Sequence, residues 1–152
     1  TYWLYFELIW RDFFKYVSMQ HKDKFFSRDG IYGDDKEWST DMEILSNWIN
    51  GKTNEQFVNA NMIELLETGF MSNRGRQNVA NYLTKELKID WRIGAEYFES
   101  MLIDYDVHSN YGNWLYNAGI GNDSMPFRKF NPKLQSERYD PNKLYEKTWL
   151  ND

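Results

Sequence analysis

Large rings set the first constraint on this chain. It carries 7 Trp, 11 Tyr and 10 Phe, 18% of its 152 residues, and they recur at three- and four-residue intervals, not in the strict alternation of a half-buried strand. Such rings are bulky core fillers, and their indole and phenol groups need polar partners when buried. With a mean hydropathy of −0.78, many polar groups must sit among them. An aromatic helical core satisfies this pattern, and so does a pocket for a planar ligand.

Segment 2–17 is apolar on nearly every face, which for a helix predicts burial on all sides. In 40–50, Met42, Leu45, Trp48 and Ile49 fall at helical spacing and stop at Gly51. The same reasoning predicts helices over about 54–67, closed by Gly69, then over 73–88 and 92–103, with Ile89, Asp90 and Trp91 as a short joint. Beyond Asp104, glycines and prolines from Gly112 to Pro141 break the pattern, so an irregular, loop-rich tail is expected. The expected fold is all-α, a single domain over 1–152, within the usual size of about 100–200 residues for one core.

The chain has no cysteine, which removes disulfides, thiolate zinc sites and cysteine nucleophiles. Its two histidines, His21 and His108, lie far apart, and no metal site is expected. A net charge of −5 restricts any nucleic-acid contact to a local groove. No apolar run approaches the roughly 18 residues of a membrane span, and no basic leader precedes a cleavage site. The expectation is a soluble protein without membrane partners, cytoplasmic, or organellar or nuclear in a eukaryote.

Three constellations carry chemistry. Glu7, Trp10, Arg11 and Phe14 share one face of the first helix. From spacing alone an ordinary Glu7–Arg11 pair beside a core tryptophan is the favoured explanation; the functional reading is a ligand mouth, with Trp10 stacking on a base. Asn73, Arg76, Gln77 and Ala80 form a stripe that is either a solvated helix start or a polar rim. From Ile103 to Trp114, two carboxylates, an amide and a tryptophan crowd one apparent loop. Asx-turns account for it, and the calcium-loop pattern is absent.

These residues also fall in long motifs. Glu7-Leu8-Ile9-Trp10-Arg11-Asp12-Phe13, the run from Thr68 to Ala80, Ile89-Asp90-Trp91-Arg92, and Asp104-Tyr105-Asp106 through Asn113-Trp114 resemble successive motifs of the photolyase/cryptochrome family, in the family's order. Met71 to Asn78 and Ser109 to Trp114 resemble its DASH branch. The resemblance implies the C-terminal part of a helical FAD domain, in which photoexcited reduced flavin passes an electron to a cyclobutane pyrimidine dimer in mainly single-stranded or looped DNA. It implies flavin contacts at Arg11, Asn73, Arg76, Asp104, Asp106 and Asn110, with Arg76 and Asp104 paired beside the isoalloxazine and Asn110 facing N5. It implies a dimer pocket of Glu7, Trp10, Asn73, Gln77 and Tyr116, with Arg128 and Gln135 near the DNA backbone. Trp38, Trp91 and Trp114 occupy the positions of the family's electron-hopping triad.

The resemblance breaks at 51–63, where Gln56, Asn59 and Ile63 stand for the family's proline, aspartate and arginine. Losing both charges together strands neither partner. The antenna domain, its expected folate and the FAD-phosphate-binding half are expected outside this chain, so FAD binding by the chain alone is expected to be weak or absent. The alternative is a non-catalytic blue-light signalling or binding module, or a flavin-free remnant of the fold.

Overall fold

The computed structural model describes residues 2–150. Eight α-helices account for most of them: α1 Tyr2–His21, α2 Met42–Ile49, α3 Gln56–Thr68, α4 Asn73–Asn81, α5 Trp91–Met101, α6 Val107–Ala118, α7 Pro132–Tyr139 and α8 Leu144–Leu150. Among the described residues there is no strand, only an isolated parallel bridge between Ser39 and Ile89. The all-α expectation therefore holds, and no described helix is long and apolar enough to cross a membrane.

The helix starts are written into the sequence. Asp41, Ser72, Asp90, Asp106 and Asn131 precede α2, α4, α5, α6 and α7, and each side chain accepts a backbone N–H of the first turn. Such caps satisfy donors that a helix leaves unpaired at its N-terminus. Pro132 follows its cap at the first helical position, where no N–H is missed.

Three sequence expectations need correction. Segment 107–118, read as a loop, is helix α6, and α7 and α8 add order to the tail. The helix expected over 73–88 changes pitch: after α4 comes a π-helical turn, Tyr82–Glu86, in which the Leu87 N–H donates to the Tyr82 carbonyl at 3.1 Å. Finally, α1 is not buried on all sides. Only Phe14, Val17 and Ser18 are, while Trp3 is 71% and Ile9 65% exposed. Its chief partner within the chain is α6, leaving the opposite face open.

The core gathers around Trp48, Trp91 and Trp114, all nearly inaccessible to solvent. Two glycines permit its tightest approaches. A Cβ on Gly94 of α5 would collide with Trp114 and Leu83, and one on Gly112 of α6 would collide with Phe14 of α1. These two contacts set how closely α6 lies against its neighbours, and α6 carries Asn110.

The altered segment 51–63 is closed by neutral hydrogen bonds. The Asn59 amide oxygen accepts the Thr53 N–H at 2.9 Å and the Thr53 hydroxyl at 2.6 Å, while its Nδ2 donates to the Thr53 carbonyl at 2.9 Å. An amide supplies both donor and acceptor here, and Ile63 packs against Gly51. The pair of neutral residues thus closes the turn without an ion pair.

The end of α6 is held by two lysines. Lys36 Nζ donates to the Ala118 and Gly119 carbonyls at 2.9 and 3.0 Å, and Lys85, on the π turn, donates to Ala118 and Pro126. Cations suit a helix C-terminus, but burial, and then the charge of Lys36, push the Lys85 ammonium down to about 8. An unfolded chain holds that proton up to 10.5. Between those values the unfolded state binds the extra proton, so stability increases as pH rises. Above 10.0 the buried phenols of Tyr97 and Tyr145, raised by the fold, act the other way. The thermal midpoint is expected to climb between about pH 8 and 10, and Lys85→Met should flatten that climb.

Candidate functional site

Helices α1, α4, α5 and α6 enclose a cleft of about 470 Å³, within the range of small-molecule sites. Its position follows from local structure. α1 presents Glu7, Trp10 and Arg11; the start of α4 presents Asn73, Arg76 and Gln77; the α5–α6 turn presents Asp104 and Asp106; and α6 presents Asn110, Trp114 and Tyr116. Three constellations separated by dozens of residues thus share one concavity.

The aromatic wall runs along α1. Trp10 lies 5.4 Å from Phe13, 5.6 Å from Phe14, 6.2 Å from Phe6 and 6.4 Å from Tyr116, by ring centroids. These contacts hold the indole in place, with Tyr116 of α6 at its side. The simple Glu7–Arg11 pair does not form: Arg11 instead meets Asp12 at 3.4 Å, with both side chains exposed, an arrangement of little energetic weight. Glu7 and Arg11 are consequently left at the cleft wall for another partner.

Polar order is stronger on the opposite wall. Arg76 Nη2 bonds both Asp104 carboxylate oxygens, at 3.0 and 2.9 Å, while its Nε donates to the Met71 carbonyl at 2.8 Å. Asp106 caps α6 through the Ser109 N–H at 2.8 Å. Burial works to raise the Asp106 carboxyl, but the Ser109 hydrogen bonds and the positive charges of His108 and Arg11 outweigh it and hold the group below its ordinary value. The cleft therefore keeps a carboxylate at neutral pH. Asn110 is buried, and its Nδ2 donates to the Ala95 carbonyl at 3.0 Å, leaving the amide oxygen and the second amide hydrogen to offer a ligand.

Four anticipated residues lie outside the cleft lining. Arg128 reaches its rim, donating to the Tyr116 hydroxyl at 3.2 Å with its guanidinium over the Tyr116 ring. Gln135 accepts from Asn78 Nδ2 at 3.3 Å, tying α7 to the side of α4 turned from the cleft. Trp91 is fully buried behind α5, its Nε1 donating to the Arg28 carbonyl at 3.1 Å. Trp38 is half-buried against the core, and the Ser39–Ile89 bridge brings its strand of chain beside the Asp90–Trp91 joint.

Sequence reasoning missed several lining residues, notably Phe70, Phe98, Leu102, Tyr105 and Asn117. Tyr105 and Phe70 sit inside motifs already quoted, so adjacency could have found them. Phe98 had no signal beyond its place on the buried face of α5. Asn117 had no signal beyond its helix.

The cleft suits a planar, partly polar ligand. Rings supply apolar walls, the Arg76–Asp104 pair and Asn110 supply fixed polar contacts, and Arg11 and Arg76 are the arginines among the lining residues. Arg76 is committed to Asp104, so Arg11 is the one lining arginine left here for a phosphate group. The cleft thus fits a flavin ring better than a pyrophosphate.

The chain has clear relatives. A family described as the FAD binding domain of DNA photolyase matches residues 3–152. Cryptochrome DASH of Danio rerio is 54% identical over 150 residues, taking in 99% of this chain and 29% of the relative. Cryptochrome DASH of Synechocystis sp. is 55% identical over 150 residues, with 99% and 31% covered. The crystal structure of the Synechocystis cryptochrome matches with a TM-score of 0.96 at 55% identity over 99% of this chain and 31% of that one. The archaeal photolyase from Sulfolobus tokodaii, solved with two FAD molecules, matches with a TM-score of 0.89 at 38% identity, over 95% of this chain and 33% of that one. The chain spans less than a third of the length of these curated relatives.

Proposed function

The chain belongs to the photolyase/cryptochrome FAD-binding family, and from that premise we propose that it forms the isoalloxazine and substrate side of a DASH-type, blue-light-driven pyrimidine-dimer lyase. The observation that carries this reading is the cleft itself, where the aromatic wall of α1 faces the Arg76–Asp104 pair and Asn110. FAD, when bound and reduced, supplies the photoexcited electron; the protein positions both reactants.

The residues divide the work. Arg76 and Asp104 would hold a balanced charge pair toward the bound ring, and Asn110 would offer it an amide group. Arg11, Asn73 and Asp106 complete the polar lining. On the substrate side, Trp10 offers a stacking face to an extruded base, Glu7 an acceptor for a base edge, and Gln77, Asn73 and Tyr116 the floor. Arg128 at the rim, and Gln135 beyond it, lie toward the flanking strand. Single-stranded or looped DNA suits this arrangement, because an unpaired dimer costs less to turn out of the stack. Trp114, Trp91 and Trp38 would relay electrons to the bound cofactor.

The phosphate-binding half and the folate antenna domain are assigned to the additional length that the relatives possess, and the open face of α1 is where such a half packs. The chain alone is expected to retain no flavin through gel filtration. Co-expressed with the N-terminal portion of the Synechocystis relative, it should retain FAD and remove dimers from irradiated single-stranded oligothymidine under blue light. Submicromolar FAD binding by the chain alone would overturn the divided cradle. A flavin-loaded complex that leaves dimers intact would sink the repair reading in favour of a signalling module.

A further inference from the structure

We propose that Tyr111 is a side donor to the tryptophan path, reducing an oxidised Trp91 in competition with Trp38 while Glu99 takes its phenolic proton. The proposal rests on the reading of Trp91 as a relay, and its chemistry is local to three side chains.

The Tyr111 ring lies 6.0 Å from that of Trp91, nearly perpendicular to it, and is backed on another side by Phe26 at 4.9 Å. Its hydroxyl donates to Glu99 Oε2 at 3.3 Å. Tyr111 follows Asn110 on α6, so it points away from the cleft, toward the buried indole of Trp91.

Trp91 is built to stay a strong oxidant once it has lost an electron. Its N–H is fixed on the Arg28 carbonyl and the ring is fully buried. A carbonyl oxygen is no base, and no water reaches the indole, so the radical cation keeps its proton. A phenol gives up an electron readily only if its proton can leave as well. Glu99 provides that base, and it is exposed, so the proton can pass on to solvent. Burial, with the negative charge of Glu99, pushes the Tyr111 phenol up to about 12; the group is intact at neutral pH, and proton and electron depart together.

The step balances. One electron moves from Tyr111 to the Trp91 radical cation, the phenolic O–H bond breaks, and the proton passes to the Glu99 carboxylate. The products are a neutral indole, a neutral tyrosyl radical and a protonated Glu99. The oxidant is the indole cation, produced when any photoexcited one-electron acceptor, flavin or synthetic, draws an electron from Trp91.

A test needs no flavin, so its failure is separable from failure of the proposed function. The chain has no cysteine, and the exposed Arg28 gives its backbone carbonyl to Trp91, so a ruthenium polypyridyl photo-oxidant attached at Arg28→Cys sits beside the relay. After a flash with methyl viologen as the electron acceptor, which leaves ruthenium(III) as the oxidant, transient absorption should show a tryptophanyl cation replaced by a tyrosyl radical, more slowly in D2O. Tyr111→Phe should remove the tyrosyl signal and prolong the tryptophanyl one at least about tenfold, and Glu99→Gln should slow tyrosyl formation by about tenfold, a barrier change of about 1.4 kcal/mol. Trp91→Phe should abolish both signals. A tyrosyl radical that persists in Tyr111→Phe, its absence from the parent, or indifference to Glu99→Gln would each overturn the proposal.

Discussion

Replacing Trp48 with alanine is expected to cost about 3–5 kcal/mol, the usual range for removing a fully buried tryptophan. That is a large part of the roughly 5–15 kcal/mol by which a domain is folded at all. Trp48 has no solvent exposure. Its ring stacks on Phe98 at 6.4 Å and meets Trp114 at 6.4 Å and Tyr97 at 5.8 Å edge to face. Its Nε1 donates to the Val79 carbonyl at 3.2 Å. It therefore joins α2 to α4, α5 and α6 at one point. Phe98 and Trp114 also line the cleft, so the loss should reach the site as well. Urea unfolding would measure this, with the midpoint falling and the slope unchanged. Trp48→Phe keeps most of the ring and loses the N–H bond, so it should fall between. A midpoint unmoved by Trp48→Ala would mean that α2 is not part of the cooperative core.

How much of this was legible beforehand depended on what made each helix. Where apolar spacing and a stop residue agreed, as from Met42 to Gly51, the element was readable. Helix α6 was not, because Val107 to Ala118 is rich in Ser, Asn and Gly, residues that favour turns when judged locally. Packing against α1 and α5 overrides that preference. Its signals were nevertheless present: Asp106 as cap, Gly119 as stop, and Tyr111, Trp114, Leu115 and Ala118 at helical spacing between them. Helix α1 erred in the opposite direction. An all-round apolar pattern says that a helix wants covering on every side, but not that the chain carrying it supplies the cover. Its open aromatic face is what the proposed divided cradle predicts.

The site was more legible than the fold around it. Eleven of the fifteen anticipated residues line one cleft, because motif order recovers a shared surface that periodicity cannot see. Spacing alone left Arg76 on a polar stripe with no partner, since a contact between α4 and the α5–α6 turn has no signature in local sequence. The motifs paired it with Asp104, and the structure forms that pair.

That pair carries the second large expectation. Arg76→Ala should weaken FAD binding by about 2 kcal/mol, or about thirtyfold, in the flavin-loaded complex with the N-terminal portion. Arg76 is the half-buried member, while Asp104 is about half exposed. Removing the guanidinium leaves a carboxylate alone at the cleft wall and frees the Met71 carbonyl, so a site already lined by more carboxylates than arginines grows more negative toward an anionic ligand. The chain itself should lose less than about 1 kcal/mol of stability, because a pair this exposed contributes little to folding. Arg76→Lys keeps the charge without the planar fork and should give an intermediate loss. Arg76→Ala combined with Asp104→Asn should recover part of the binding, since the stranded charge is gone, and the departure from additivity measures the coupling. Flavin fluorescence titration of the complex and urea unfolding of the chain separate the two roles. If Arg76→Ala unfolds the chain and flavin loss merely follows, the pair is a structural clamp. If flavin binding is unchanged, the isoalloxazine does not lie beside it.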